Sequence, residues 1–166
     1  MDKNTIQSKK QCTFVLKIIP MAINSKVELD NVFVTVTKLR RKLDAQIEAE
    51  LHYIGYKNFK SSYLPVLIML YKEGRSVVNI AYDYGISKQA ISKLTAEMMN
   101  ESLLKTLVNK DDRRSMTIVL TAAGKRMATD ARKCVSKLND NYKTLIGKNK
   151  YEQMMDSLLS LLAFHD

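Results

Sequence analysis

Apolar residues recur at three- and four-residue intervals along most of the chain, and the breaks in that rhythm divide it into elements. Val32, Val36, Leu39, Leu43, Ile47, Leu51 and Ile54 keep the spacing over several turns. Val32 to Thr37 also alternates like a strand, whereas Leu39 to Tyr56 reads as helix. Ser61 or Ser62 starts the next helix, which carries Pro65 in its first turn and ends at Gly74. Its inward residues are expected to be Leu64, Leu67, Ile68 and Tyr71. Val77, Ile80, Ala81 and Tyr84 give a further helix one apolar face, with Ser76 as its cap and Gly85 as its left-handed end. Ser87 then caps a second helix, to Asn100, after a very short connection. That spacing is a helix-turn-helix.

Leu103 to Val108 and Met116 to Leu120 are short runs rich in β-branched residues, predicted as strands. Between them Asn109 to Ser115 forms a turn too polar for a core. Two strands with a basic tip after a helix-turn-helix make a winged helix. Thr121 caps a long helix to about Ile146, striped by Met127, Ala131, Cys134, Leu138, Tyr142 and Leu145. Gly147 breaks it, and Tyr151, Met154, Met155, Leu158, Leu161 and Leu162 form a last amphipathic helix. These stripes exceed what so small a core can cover, so the terminal helices are expected to pair with a second copy.

The face of the second helix gives the first chemistry. Ile91, Leu94 and Met98 fall on one arc, while Gln89, Ser92, Lys93 and Ala96 lie opposite, with Lys88 at the N-terminal shoulder. The outward arc holds no carboxylate and no large hydrophobe. Donors and short side chains at a helix N-terminus suit close approach to a major groove, although a solvated face has a similar composition. A net charge of +10 and a pI near 9.6 move the balance toward a polyanionic partner, nucleic acid ahead of an anionic membrane surface.

At this point the chain resembles the MarR family of transcription regulators. The residues that carry the resemblance are Asp112-Arg113-Arg114-Ser115 and Leu120-Thr121-Ala122-Ala123-Gly124, similar to that family's D-x-R wing and the L-T-x-x-G start of its next helix. The resemblance extends from about Val27 to the C-terminus in element order, and at the level of motifs from Ile80 to Gly124. It implies that Arg114 enters a minor groove, with Asp112 orienting it or bracing the wing, and that the chain pairs into a two-fold dimer through its terminal helices. The family often has a small-molecule crevice between reading head and dimer helices, which would make an effector a further partner. Chain position puts Tyr53, Tyr56 and Tyr63 at such a crevice.

Other readings weigh less. His52 and His165 lie far apart, no Cys/His cluster has zinc-ligand spacing, and no glycine-rich phosphate loop occurs. No enzyme activity, metal or cofactor is therefore expected. Cys134 sits in an apolar stripe; Cys12 follows Lys9 and Lys10, and one branch of the family senses peroxides through an N-terminal cysteine. Two distant cysteines suit a reducing cytoplasm, and no apolar run approaches the length of a membrane span. In residues 1–25, Lys17 and Pro20 argue against a signal peptide, and Phe14, Leu16 and Ile18 fit a short clasping strand or a helix. Lys38, Arg40, Arg41 and Lys42 form a basic cluster, either a solvated face or a phosphate contact.

The fold expected is mainly α: a winged helix-turn-helix with a short β-hairpin wing and long N- and C-terminal dimerisation helices. The chain divides into an extension (1–25), a first dimerisation helix (26–60), the DNA-binding region (61–121) and C-terminal dimerisation helices (122–166). The function expected is a homodimeric regulator binding double-stranded DNA at a pseudo-palindromic operator, most simply as a repressor. Its contacts would come from Ser87, Lys88, Gln89, Ser92, Lys93, Asp112, Arg113 and Arg114. The alternative is a non-regulatory architectural or RNA-binding winged-helix protein.

Overall fold

The computed structural model describes residues 31–108 and 116–165, in two units that divide after Val36. The elements are α1 (Val32–Tyr53), α2 (Tyr63–Met69), α3 (Val77–Tyr84), α4 (Lys88–Asn100), β1 (Leu104–Val108), β2 (Met116–Leu120), α5 (Ala122–Ile146) and α6 (Lys148–Ala163). Val32 to Thr37, which alternates like a strand, is helical. Strands need a neighbour to pair with, whereas a helix satisfies its own backbone, so β-branched residues here follow the helix that continues from them.

The core of the second unit is assembled from short pieces around one long one. Leu51 of α1, Phe59 in the following link, Tyr63, Val66, Leu67 and Leu70 around α2, Ile80 of α3, and Ile91 and Met98 of α4 are all buried. Met127, Ala128 and Ala131 of α5 close that core from the other side. Ile68 was expected to face inward and is instead 45% exposed. The inward arc of the seven-residue α2 is set by Tyr63, Val66 and Leu67, which turns Ile68 outward.

Gly74 also departs from its expected role. Helix α2 ends at Met69, and Gly74 lies beyond it against the wing. A Cβ at this position would sit 2.5 Å from Val119 Cγ1 and 2.6 Å from Thr117 Cγ2. The next residue, Arg75, exchanges both backbone hydrogen bonds with Ile118, at 3.0 and 2.8 Å, extending the hairpin by one bridge. The hairpin itself is antiparallel, pairing Leu104 with Leu120 and Val108 with Met116.

The apolar stripes of the terminal helices are only partly covered. In α5, Met127, Ala131 and Leu138 are buried, and Leu145 is 67% exposed. In α6 only Tyr151 is buried, while Leu158, Leu159, Leu161 and Leu162 are exposed. In α1, Ile47 and Leu51 are buried, but Val32, Val36 and Leu39 are not. No helix among the described residues is long and apolar enough to cross a membrane.

Candidate nucleic-acid interface

The helix-turn-helix is held by local chemistry that can be followed bond by bond. Ser76 Oγ accepts from Asn79 N–H at 3.1 Å and starts α3. Gly85, at φ 66°, ends it in the left-handed region that a side chain would resist. Ser87 Oγ accepts from Ala90 N–H at 3.2 Å and starts α4 in a new direction. Each cap satisfies a donor that the helix itself leaves open.

Helix α4 then sorts its residues by face. Ile91, Thr95 and Met98 are buried and Leu94 is half-buried against the core. Thr95 is the polar residue on the inner face; its hydroxyl donates to the Ile91 carbonyl at 2.8 Å, which removes the cost of burying it. Lys88, Gln89, Ser92, Lys93 and Ala96 are exposed. The acids of α4 and its end are drawn away from that face. Glu97 pairs with Lys60 and accepts from Tyr63 Oη at 3.0 Å, and Glu101 accepts from Asn58 at 2.9 Å. The bonds from Lys60 and Tyr63 hold the Glu97 carboxyl below its usual range. The first two turns of α4 therefore present cations, an amide, a hydroxyl and a methyl, with no carboxylate among them.

The wing is anchored at its base. Leu104, Ile118 and Leu120 are buried, and Lys105, Thr106, Leu107 and Met116 are exposed. Asp112, Arg113 and Arg114 lie outside the described residues. Thr121 links three segments: its hydroxyl donates to the Ser102 carbonyl at 2.7 Å and accepts from Gly124 N–H at 3.0 Å, capping α5. Gly124 rests directly on the Leu103 carbonyl, where any side chain would collide.

The three tyrosines assigned to a crevice go to three different environments. Tyr53 is 77% exposed. Tyr56 is half-buried and donates to Asp130 of α5 at 2.8 Å; burial, then that bond, raises its pKa to about 12. Tyr63 is buried in the core, where burial and then Glu97 likewise raise its pKa to about 12. What lies between the end of α2, the link to α3 and the middle of α5 is a cavity of about 570 Å³, and none of these tyrosines lines it. Arg75 and Arg132 both line it. Periodicity could not find them, because each acts through a residue distant in sequence or through a backbone bridge.

The remaining candidates are placed more simply. Lys38, Arg40, Arg41 and Lys42 are exposed, and Arg40 pairs with Asp44 at 2.8 Å. Cys134 is half-buried and burial pushes its thiol up to about 11, a poor nucleophile. Cys12 lies outside the described residues. His52 Nε2 contacts the Phe59 carbonyl at 2.8 Å, a structural bond across the α1–α2 link. Among the described residues no cluster of three His, Cys, Asp or Glu could hold a metal ion.

No family model and no curated protein matches the chain. Solved structures do. The Staphylococcus aureus MepR–DNA complex superposes with a TM-score of 0.72 at 16% identity, over 82% of this chain and 99% of that one. A MarR transcriptional regulator from Methanosarcina mazei gives 0.69 at 19% identity, over 81% and 95%. CouR from Rhodococcus jostii, bound to p-coumaroyl-CoA, gives 0.67 at 22% identity, over 82% and 95%. The chain thus has the winged helix-turn-helix fold of MarR regulators, with helices before and after the winged region.

Proposed function

We propose that the chain is a transcription regulator of the MarR type, which binds double-stranded DNA as a homodimer and represses from a pseudo-palindromic operator. The observation that carries this reading is the outer face of α4: Gln89, Ser92, Lys93 and Ala96 exposed, with Ser87 and Lys88 at its start, while Glu97 is engaged by Lys60 and Tyr63 and Glu101 by Asn58. Such a face can enter a major groove, where Gln and Lys side chains read base edges and Ser87 and Lys88 meet phosphate. Arg114 would occupy a flanking minor groove, steadied by Asp112, with Arg113 on phosphate. A net charge of +10 suits the phosphate backbone.

Pairing is supported by the exposed leucines of α6, and DNA binding by a neighbour of the same fold solved on DNA. Relief by a small-molecule effector is supported by the neighbour solved with p-coumaroyl-CoA. The test is selection of duplexes from a random pool by the full chain. Two inverted half-sites spaced by about one helical turn, roughly 10 base pairs, are expected. Enrichment of no motif, or preference for single-stranded RNA, would favour the architectural or RNA-binding reading instead.

A further inference from the structure

We propose that Lys60, in the link between α1 and α2, is a positioning residue for DNA recognition: it holds Glu97 of α4 and so keeps Lys93 free for the duplex. The role given to Lys93 rests on the DNA-binding reading above, and the hold on Glu97 does not. Lys93 and Glu97 stand one turn apart on α4, about 40° round the helix, where side chains four residues apart can pair. Yet among the described residues Lys93 is exposed and forms no ion pair. The carboxylate is claimed from the other side. Lys60 Nζ donates to Glu97 Oε1, and Tyr63 Oη donates to the same oxygen at 3.0 Å. The Lys60 bond, ahead of that from Tyr63, holds the carboxyl below its usual range, and the charge of Lys93 acts least of all in the same direction.

The C-terminal end of α4 needs such partners. Glu97 and Glu101 are themselves one turn apart, repel each other, and lie at the negative end of the helix dipole. Lys60 and Tyr63 answer the first, and Asn58 answers the second at 2.9 Å. Of these donors only Lys60 carries charge. Without it Glu97 keeps one neutral hydroxyl, and the nearest cation on its own helix is Lys93.

An exposed ion pair is ordinarily weak, because two long side chains must be ordered to make it. Lys60 escapes part of that cost, since its backbone is set between anchored neighbours. Phe59 is 2% exposed and its carbonyl meets His52 Nε2 at 2.8 Å, while Ser61 N–H donates to Glu48 at 2.6 Å. Tyr63 is likewise buried. The donors on this side are therefore in place before Glu97 turns toward them. The competing pair is the poorer one, because a Lys that precedes its Glu by four residues is the less favourable order on a helix. With Lys60 present, Glu97 goes to the link. With Lys60 removed, Glu97 turns along α4 and occupies an ammonium that would otherwise meet a base edge or a phosphate.

A change of net charge moves affinity for all duplexes alike, so the quantity to read is the cost of Lys93→Ala rather than affinity itself. The experiment titrates the selected duplex with the full chain at one salt concentration. In the unaltered chain Lys93→Ala should weaken binding by about fivefold or more. With Lys60→Met in place that cost should shrink by about two- to fivefold, the range an exposed pair supplies. Lys60→Met with Glu97→Gln should restore the full cost, and Lys60→Arg should behave as the unaltered chain. Amine acetylation followed by mass spectrometry reads the same competition without DNA. A paired ammonium keeps its proton, so Lys60→Met should slow acetylation of Lys93 by about two- to fivefold, and adding Glu97→Gln should restore it. A Lys93→Ala cost that is equal with and without Lys60, or absent in the unaltered chain, overturns the role in recognition. An acetylation rate unmoved by Lys60→Met overturns the hold on Glu97. If no duplex is selected at all, the DNA reading fails by itself, and acetylation still decides whether Lys60 keeps Glu97 from Lys93.

Discussion

Helices α4 and α6 are both amphipathic in sequence and similar in length, 13 and 16 residues, yet they end in opposite conditions. Helix α4 has Ile91 and Met98 wholly covered by its own chain. Helix α6 buries Tyr151 and leaves Leu159 58%, Leu161 54% and Leu162 62% exposed. An apolar stripe says that a face needs cover, and it does not say which molecule supplies it. The helix-turn-helix is finished within one chain, whereas the C-terminal helix forgoes part of the roughly 1.5–3 kcal/mol that burial of each leucine can contribute.

The largest effect should come from breaking the uncovered side of this contrast. Leu158→Asp combined with Leu162→Asp should leave a folded monomer by sedimentation, where the unaltered chain is expected to sediment as the proposed dimer. Operator affinity should fall by about a hundredfold or more, because the two half-sites are no longer bound as one unit. A folded monomer of the unaltered chain at micromolar concentration would sink the dimer reading. The covered side should respond in stability instead. Ile91→Ala should cost about 2–5 kcal/mol in denaturant unfolding, whereas Leu161→Ala should cost far less in a monomeric background.

Within the winged helix-turn-helix the contrast sharpens to the single contacts proposed with DNA. Arg114→Ala should weaken operator binding by about 1.5–3 kcal/mol with melting unchanged, the size of a lost charge-assisted contact. Arg114→Lys should recover little, since a compact hydrated ammonium enters a narrow groove less readily. An Arg113→Ala effect larger than that of Arg114→Ala would show the wing register to be wrong. Gln89→Ala or Lys93→Ala should each cost about 1–3 kcal/mol on the selected site if base contacts are lost. A Lys93 effect equal on all sequences, with a flatter salt slope, would place that residue on phosphate.

The smallest effect concerns pH. The folded chain holds the Tyr63 proton up to about pH 12, against an ordinary value of 10.0. A raised folded value means that this stability is fully present below pH 10.0 and is lost as pH rises toward about 12. Tyr63→Phe should therefore flatten the alkaline limb of the stability profile; an unchanged limb would assign that loss to other groups.

Local chemistry was legible in the sequence, and chemistry between distant segments was not. Ser76, Gly85, Ser87 and Thr121 each close a helix end within a few residues of themselves, so those capping roles could be read from spacing and were found as expected, whereas the bond from Thr121 to the distant Ser102 carbonyl could not. Gly74 read as a helix stop because the strand it touches lies some forty residues away. The bond from Tyr63 to Glu97 was hidden in the same way, because nothing near either residue in sequence announces the other. Ile68 fits the inward spacing, but a helix of two turns can rotate to suit its largest buried residue. The Arg75–Asp83 pair is invisible to periodicity, since eight residues and a change of element separate its ends.

The joint at Thr121 has a mechanical consequence. Its hydroxyl fastens the exit from α4 to the first turn of α5, and Gly124 leaves no gap to open there. In the proposed dimer, each α4 would behave as the end of a stiff strut rather than a hand on a wrist. An operator with one base pair too many, about 3.4 Å of extra rise, could not be met by flexing at that point. The misfit would have to be absorbed by the seam between the two copies or by bending and twisting of the duplex. Tolerance for spacing errors would then belong to the DNA and the seam, and sequence steps that deform easily would be favoured between the half-sites.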